Sequence, residues 1–145
     1  MTGLEYLQAV MAGKRPGGSL PALLSIRLVE ARHGEVRFEG VPEARFTNPA
    51  GTIHGGWTAS LLDSAAALAA YSTLPAGKTS TTVDLHMHCL RPILPDAGKL
   101  IGEGSVINAG RTLILVEARV LDEAGRLLAH ATSTCMVLDV KERTR

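Results

Sequence analysis

The residues between Arg45 and Lys78 restrict the fold more than any other part of the chain. Asp63 is their only Asp, Glu, Lys or Arg, and a long apolar run surrounds it. A helix that is hydrophobic around nearly its whole circumference has to be buried. Small side chains on this segment allow a neighbouring layer to approach closely; they are Ala59, Ala65, Ala66, Ala67, Ala69 and Ala70. We therefore expect one long central helix with a sheet curled around it.

Strand patterns flank this helix on both sides. Residues 23–41 form two short extended runs with a turn at "RHGE", and the turns "NAGR" and "DEAGR" separate later runs as tight antiparallel hairpins require. The later strands are predicted at Thr79 to Leu90, Lys99 to Ala109, Thr112 to Leu121 and Leu127 to Leu138. The expected class is α+β, a hotdog fold in which a curved, largely antiparallel sheet wraps a central helix.

The chain length of 145 residues fits one domain. We assign residues 1–145 to this domain, with an N-terminal helix and flexible loop at 1–18 and a charged tail at 139–145. Leu4, Leu7 and Met11 recur at helical spacing, and "GKRPGG" follows them.

Composition excludes several classes of function. Lys and Arg number 15 against 14 Asp and Glu, so the chain lacks the basic field that nucleic acids require. No continuous apolar stretch reaches the length of a membrane-spanning helix. Cys89 and Cys135 are too few for a disulfide scaffold, which predicts a reducing cytoplasm. We expect no nucleic acid partner and no membrane association.

One motif lies at the start of the central helix. Asn48 is followed after five residues by His54-Gly55-Gly56, and Asp63 comes seven residues after Gly56. This pattern, with the later segments "LRPILPDAGKL" and "GRTLILVEARVLDEAGRLLAHATSTCMV", resembles the phenylacetate-pathway (PaaI-like) type of hotdog-fold acyl-CoA thioesterases. The resemblance covers roughly residues 44–138. It implies hydrolysis of an acyl-CoA substrate to a free acid and coenzyme A, without a metal or another cofactor.

The two glycines have a physical role that suits this reaction. The first N–H groups of a helix lack intrahelical partners and lie at the positive end of the helix dipole. The Gly55 N–H is therefore a candidate oxyanion hole for a thioester carbonyl, which the absence of a Cβ at Gly55 and Gly56 lets approach. The alternative is a plain tight turn before the helix.

Asp63 is the candidate catalytic carboxylate. It can act as a general base on water or as a nucleophile that forms an anhydride, and the sequence leaves both open. A buried carboxylate without such a role carries a desolvation cost unless hydrogen bonds satisfy it. The alternative is a hydrogen-bonded structural Asp.

Spacing along the helix indicates that one chain is not enough. Eight residues separate Gly55 from Asp63, or about 12 Å along a helix, which is too far to act on one thioester carbon. A two-fold axis would bring Gly55 of one chain to Asp63 of its partner, so we expect a homodimer with composite sites. The resemblance further implies that the strand Thr79 to Leu90 pairs across this axis and that dimers associate into a homotetramer; the sequence leaves their mode of pairing open.

Other residues are candidates for supporting roles. Asn48 either holds water or the thioester oxygen through its amide or only forms a turn before Pro49. The resemblance places Thr82 where a hydroxyl would orient water beside Asp63, although strand parity puts it on the face of Asp84, His86 and His88. It also implies that His54 fixes the loop rather than acting as a base.

Substrate contacts are predicted less specifically. Arg91 and Arg111 are candidates for the coenzyme A phosphates, with Lys14 or Arg15 as further possibilities, and each can equally be a solvated surface charge. Trp57, with Leu61, Leu4 and Leu7, either lines the acyl pocket or packs in the core. Aromatic, medium-chain and hydroxylated acyl groups all remain open.

The sequence also leaves alternative functions. "HMHC" at 86–89 suggests a metal site, but His86 and His88 share a face from which Cys89 points away, and no third ligand accompanies them, so we predict none. A hotdog enoyl-CoA hydratase or dehydratase would pair the acid with a His, and none follows Asp63 along the helix. A non-catalytic acyl-CoA-binding protein would not need the carboxylate.

Overall fold

The computed structural model describes residues 1–141. Within them lie three α-helices, six β-strands and a 3-10 turn at Ala44–Phe46. The helices and strands are α1 (Gly3–Met11), α2 (Ser19–Leu23), β1 (Ile26–Arg32), β2 (Glu35–Gly40), α3 (Gly55–Tyr71), β3 (Lys78–Cys89), β4 (Leu100–Ala109), β5 (Leu113–Leu121) and β6 (Leu127–Asp139).

The strands form one antiparallel sheet in the order β1-β2-β4-β5-β6-β3. The hairpins predicted at "RHGE", "NAGR" and "DEAGR" connect β1 to β2, β4 to β5 and β5 to β6. In β5 the alternation is as predicted, because Ile114, Val116, Ala118 and Val120 are all buried. The α+β hotdog prediction is confirmed, and β1 and β3 are the two edges of the sheet.

The sheet wraps α3 closely because β4 carries glycines where it crosses the helix. A Cβ on Gly104 would lie 2.1 Å from the carbonyl oxygen of Ala65, and a Cβ on Gly102 would lie 2.6 Å from Cδ1 of Leu61. The helix buries its sheet-facing side completely. Its fully buried apolar residues include Leu61, Leu62, Ala65, Ala66, Ala69 and Ala70.

The predicted N-terminal helix packs on the end of α3. Thr2 and Glu5 form a capping box at its start, and the Gly3 N–H donates to the carbonyl of Leu74 over 2.9 Å. A Cβ on Gly3 would lie 1.8 Å from the carbonyl oxygen of Tyr71, so only glycine permits this approach. Leu7 is buried in the core.

Helix α2 differs from the sequence-based expectation. An extended run was predicted to begin at Leu23, but Leu23 ends α2 and β1 begins only at Ile26. Ser25 separates them with φ +57°, a left-handed conformation that redirects the chain. A five-residue helix is too short to show helical periodicity, which is why the sequence pattern did not indicate it.

The C-terminal strand is longer than predicted. β6 continues through Asp139, whose Oδ1 lies 2.5 Å from Nζ of Lys78, and the Val140 N–H donates to Gly77. The charged tail predicted at 139–145 therefore does not begin at Asp139, and its positions 142–145 lie outside the described residues. Over residues 1–141, no helix combines the length and the hydrophobicity needed to span a membrane.

Candidate active site

The start of α3 carries a free backbone donor. His54 is the N-cap residue, and its Nδ1 accepts a hydrogen bond from the Gly56 N–H over 2.8 Å. The His54 carbonyl accepts from the Trp57 N–H over 3.0 Å. The Gly55 N–H meets no acceptor among residues 1–141. An exposed donor at the positive end of a helix dipole is suited to bind an oxyanion.

His54 therefore has a structural contact of the kind the resemblance implied. Its ring nitrogen is used to cap the helix, and this bond requires the tautomer that leaves Nδ1 free to accept. The same bond leaves Gly55 as the outermost free N–H of α3. The geometry favours a positioning role for His54 in the loop.

A cavity of about 310 Å3 opens in front of Gly55. Asn48, Thr58 and Arg91 line it together with Gly55. Three sequence-predicted site residues, Asn48, Gly55 and Arg91, thus come together at one end of α3. Arg91 adds a positive charge to a wall that already carries the helix N-terminus.

The side chain of Asn48 is largely engaged in its own loop. Its Oδ1 accepts hydrogen bonds from the N–H groups of Ala50 at 3.0 Å and Thr52 at 3.3 Å, and its Nδ2 donates to Oγ1 of Thr52 at 2.9 Å. These bonds are those of a turn-forming Asn. One amide proton of Nδ2 is left for a contact in the cavity.

Asp63 lies two turns into α3 and is half-buried rather than fully buried as expected. Its Oδ1 accepts a hydrogen bond from Oγ1 of Thr82 over 3.0 Å. The carboxylate also lines a cavity between α3, strands of the sheet and the N-terminal helices, which explains its partial exposure. A second polar group, Ser64, follows it along the same cavity.

Thr82 faces the helix, so the parity predicted for it from the sequence is wrong. The register of β3 against β6 shifts between Thr82 and Asp84, and Val83 is the extra residue of a β-bulge. Thr82 therefore shares a face with Leu85 and Met87, opposite Cys135 of β6, and not with Asp84. A bulge reverses the alternation of side chains on one side of itself, and the sequence pattern gave no sign of it.

Cys135 lies next to this contact. Burial raises the pKa of the Cys135 thiol, and the negative charge of Asp63 raises it further. A thiol held in its protonated form is a poor nucleophile. Asp63 is therefore the candidate nucleophile or base of this site, and Cys135 contributes packing.

Asp63 lines a separate cavity of about 480 Å3, bounded by α3, β1, β2 and the N-terminal helices. Gly55 does not line it. Val10, Met11, Ala67 and Leu68 are among its apolar walls, and the sequence reasoning did not select any of them. Met11 and Ala67 were noted only as parts of predicted helices, and no sequence motif marks Val10 or Leu68.

Three of the four residues considered for an acyl pocket, Trp57, Leu61 and Leu7, are core residues. Trp57 is buried, and its Nε1 donates to the carbonyl of Leu24 over 2.8 Å. Leu61 and Leu7 are also buried, whereas Leu4 is only partly buried. None of these four residues lines the cavity beside Asp63. The side chains of the three core residues stabilise the helix within the sheet.

Arg111 lies far from Arg91 within one chain. Arg111 precedes Leu113, which pairs with Met136 of β6, and Met136 pairs in turn with Thr81 of β3. Arg111 therefore lies near the Thr81 end of β3, whereas Arg91 follows the other end. The eight residues from Thr81 to Cys89 span about 26 Å of strand. The two arginines can contribute to one site only if they come from different chains.

The two histidines of "HMHC" are exposed on the outer face of β3, whereas Cys89, which is also exposed, lines the Gly55 cavity. His130, which was not part of the motif, pairs with His88 across the strands. Its Nε2 lies 3.1 Å from Oε1 of Glu117. Across residues 1–141, no three His, Cys, Asp or Glu side chains are grouped so that they could hold a metal ion.

Comparisons with known proteins agree with this geometry. Residues 50–129 match the thioesterase superfamily. Acyl-coenzyme A thioesterase 13 of Homo sapiens is 33% identical over 115 residues, which cover 75% of this chain and 77% of that protein.

Solved structures give the same fold. A phenylacetic acid degradation-related protein from Ralstonia eutropha JMP134 is 28% identical, with a TM-score of 0.82 over 90% of this chain and 98% of that one. The PaaI protein of E. coli, at 18% identity, shares the fold with a TM-score of 0.81 over 96% of this chain and 94% of its own. The chain therefore belongs to the thioesterase superfamily, and it is a thioesterase of the PaaI-like hotdog type.

Proposed function

We propose that the protein hydrolyses acyl-CoA thioesters to a free acid and coenzyme A, at sites that two chains build together. The observation that carries the proposal is the separation of the two reactive groups. The free Gly55 N–H lies in one cavity and the Asp63 carboxylate lines another. Neither cavity holds both the donor and the base that thioester hydrolysis needs.

The edge strand β3 supports a specific way of joining two chains. Thr82 of β3 contacts Asp63, and Cys89 and Leu90 at its other end line the Gly55 cavity. If β3 pairs with its own copy in an antiparallel register centred near His86, the Thr82 end of one chain meets the Leu90 end of the other. Asp63 then comes to the Gly55 of its partner, as a two-fold axis requires.

The chemistry follows from these contacts. The thioester oxygen accepts a hydrogen bond from the Gly55 N–H, and negative charge grows on that oxygen as the carbonyl carbon is attacked. Asp63 either takes a proton from the attacking water or attacks the carbon itself to give an anhydride that water then opens. In both routes the carbon–sulfur bond breaks and coenzyme A leaves as its thiolate. Thr82 holds one carboxylate oxygen in place.

The phosphates of coenzyme A require cationic partners. Arg91, which lines the Gly55 cavity, is the first candidate. Arg111 is a candidate from the partner, because the antiparallel pairing of β3 brings the Thr81 end of one chain toward the Arg91 end of the other. If the two arginines share the task, Arg91→Ala and Arg111→Ala should each keep part of the affinity for coenzyme A.

The assembly that we propose is a tetramer formed by two such dimers, located in the cytoplasm. Apolar side chains on the outer face of the sheet support association beyond the dimer. This outer apolar face consists of Leu113, Leu115, Met136 and Leu138, all at least a third exposed. Leu113 and Met136 are direct cross-strand neighbours, so the face is continuous across β5 and β6.

A hydratase or dehydratase receives less support from the structure. That chemistry pairs the acid with an imidazole, and among the described residues the side chains lining the Asp63 cavity include no His. The ring of His54 is engaged at the start of α3. Hydrolysis needs only the carboxylate, a water molecule and the oxyanion donor.

Replacing Asp63 tests the proposal. Asp63→Asn should lower kcat for release of coenzyme A by about 10² to 10⁴, the range that general acid–base catalysis contributes. Asp96→Asn makes the same change on an exposed loop and should leave the rate unaltered. Equal rates for native protein and Asp63→Asn, with both folded, would refute the assignment. After a single turnover in ¹⁸O-labelled water, label in Asp63 would identify the nucleophilic route with water opening the anhydride at the Asp63 carbon, since general-base hydrolysis places label only in the released acid.

A further inference from the structure

We propose that the cavity beside Asp63 binds the acyl group, and that residues 10–22, the N-terminal cap, limit the length of acyl chain it accepts. The ligand that this cavity fits is an unsubstituted apolar acyl group of medium length. The inference rests on the proposed thioester hydrolysis and adds the substrate class to it.

The cavity runs away from the carboxylate along α3. Asp63, Ala67 and Leu68 lie in order on its helical wall, and five residues from Asp63 to Leu68 correspond to about 7.5 Å. Leu28 and Phe38 form the sheet side. An acyl carbon held at Asp63 therefore has an apolar channel directly behind it.

The chemistry of the walls selects against polar acyl groups. Among the described residues that line the cavity, only Arg27, Asp63 and Ser64 have polar side chains, and Ser64 is adjacent to the carboxylate. The guanidinium of Arg27 is turned to solvent, with its side chain 77% exposed, and lies 3.4 Å from Glu39. A hydroxyl carried deep into this cavity would lose its water without gaining a partner, which is costly.

The N-terminal cap supplies the far wall. Val10 and Met11 end α1, Gly17 and Gly18 cross above the cavity, and Ala22 contributes from α2. Two glycines and an alanine leave space where larger residues would fill it. Met11, 37% exposed and unbranched, can adjust to chains of different length. The size of these side chains thus determines how much acyl chain fits.

Two adjacent residues of α2 provide a matched test. Ala22 lines the cavity, whereas Leu23 does not and is 64% exposed. We would measure kcat/KM for acetyl-, hexanoyl-, decanoyl- and palmitoyl-CoA with the native protein, Ala22→Trp, Leu23→Trp and Met11→Ala. One methylene in a hydrophobic pocket changes kcat/KM by about 10- to 200-fold.

The expected result is a shift of the chain-length profile. Ala22→Trp should lower kcat/KM for decanoyl-CoA at least about tenfold while acetyl-CoA changes by less than about twofold, and Met11→Ala should favour longer chains. Leu23→Trp should keep the native profile. A terminal hydroxyl on the decanoyl chain should lower kcat/KM for the native protein. Identical profiles for native protein, Ala22→Trp and Met11→Ala would overturn the inference.

Binding to Asp63→Asn separates this inference from the proposed function. Calorimetry on that variant should show that affinity rises from acetyl- to decanoyl-CoA. Adding Ala22→Trp should then lower the affinity for decanoyl-CoA. This result would uphold the cavity assignment even if the native protein hydrolysed no thioester. Affinity independent of chain length would refute the assignment even if hydrolysis were confirmed.

Discussion

Thr82 of β3 donates a hydrogen bond to Asp63 of α3, with 3.0 Å between Oγ1 and Oδ1. The contact exists because Val83 bulges out of the strand and turns Thr82 toward the helix. Among residues 1–141 no donor meets the second carboxylate oxygen of Asp63. One oxygen is thus fixed and the other is free to act on water or on the thioester.

Removing the hydroxyl of Thr82 should weaken catalysis more than substrate binding. Thr82→Val keeps the side-chain shape, and loss of a hydrogen bond to a charged group should lower kcat about tenfold or more with KM nearly unchanged. Thr82→Ser should restore most of kcat because it returns the donor. A Thr82→Val protein with native kcat would show that the hydroxyl only packs against the helix.

Gly55 allows the oxyanion donor to be removed without disturbing the helix. Proline is favoured at the first position of a helix, and His54 already has ψ 135°, which is compatible with a following proline. Gly55→Pro should therefore fold and unfold at a temperature close to native, while kcat falls by about 10² to 10³.

Gly55→Ala is the matched control for this variant. It retains the N–H, and among residues 1–141 its Cβ would have no neighbour within 4 Å. It should keep a larger share of activity than Gly55→Pro. Equal activity of both variants would argue against a role for the Gly55 N–H, and Gly56→Ala is unsuitable because its Cβ would lie 2.9 Å from Nδ1 of His54.

The register of the paired β3 strands can be measured by cross-linking. With the two-fold axis near His86, His86→Cys in a Cys89→Ser background should form a disulfide with its own copy on mild oxidation, because directly opposed Cβ atoms lie about 4.5 to 5.5 Å apart. Thr81→Cys, far from the axis, should remain monomeric under denaturing electrophoresis. Preferential cross-linking of Thr81→Cys would place the axis elsewhere.

A charge on the outer apolar face should separate dimers from tetramers. Leu115 is 40% exposed on β5 and lies beside the paired Leu113 and Met136. Leu115→Lys should reduce the mass measured by light scattering from four chains to two, since an unpaired charge is costly in an interface. Activity should persist in the dimer. An unchanged tetramer would show that dimers meet through another surface.

The sequence was sufficient to predict the fold, because a helix whose only charged residue is Asp63 leaves few ways to bury it. The start of α3 at Gly55 was also correctly located, since a glycine pair before an apolar run marks a helix boundary. The orientation of Thr82 was not predictable, because a bulge depends on the register of two strands distant in sequence. The half-burial of Asp63 likewise depends on how the strands and the N-terminal helices pack around α3, which no local sequence pattern shows.

The cavity beside Asp63 was the main feature that the sequence did not reveal. Its walls come from α1, α2, β1, β2 and α3, and no local pattern joins them. Trp57 was the most conspicuous candidate for a substrate contact, but its indole N–H bonds to Leu24 and its ring packs in the core. The folding of the N-terminal residues over α3 determined which side chains line the cavity.

Mixing two inactive variants tests the shared site most directly. Asp63→Asn and Gly55→Pro are each expected to be nearly inactive, but a dimer with one chain of each contains one site with both a native Gly55 and a native Asp63. Unfolding and refolding an equal mixture makes half of the dimers mixed, so activity should rise to about one quarter of the native value. Activity that stays at the mean of the two variants, with mixed dimers verified by mass spectrometry, would contradict a site built from two chains.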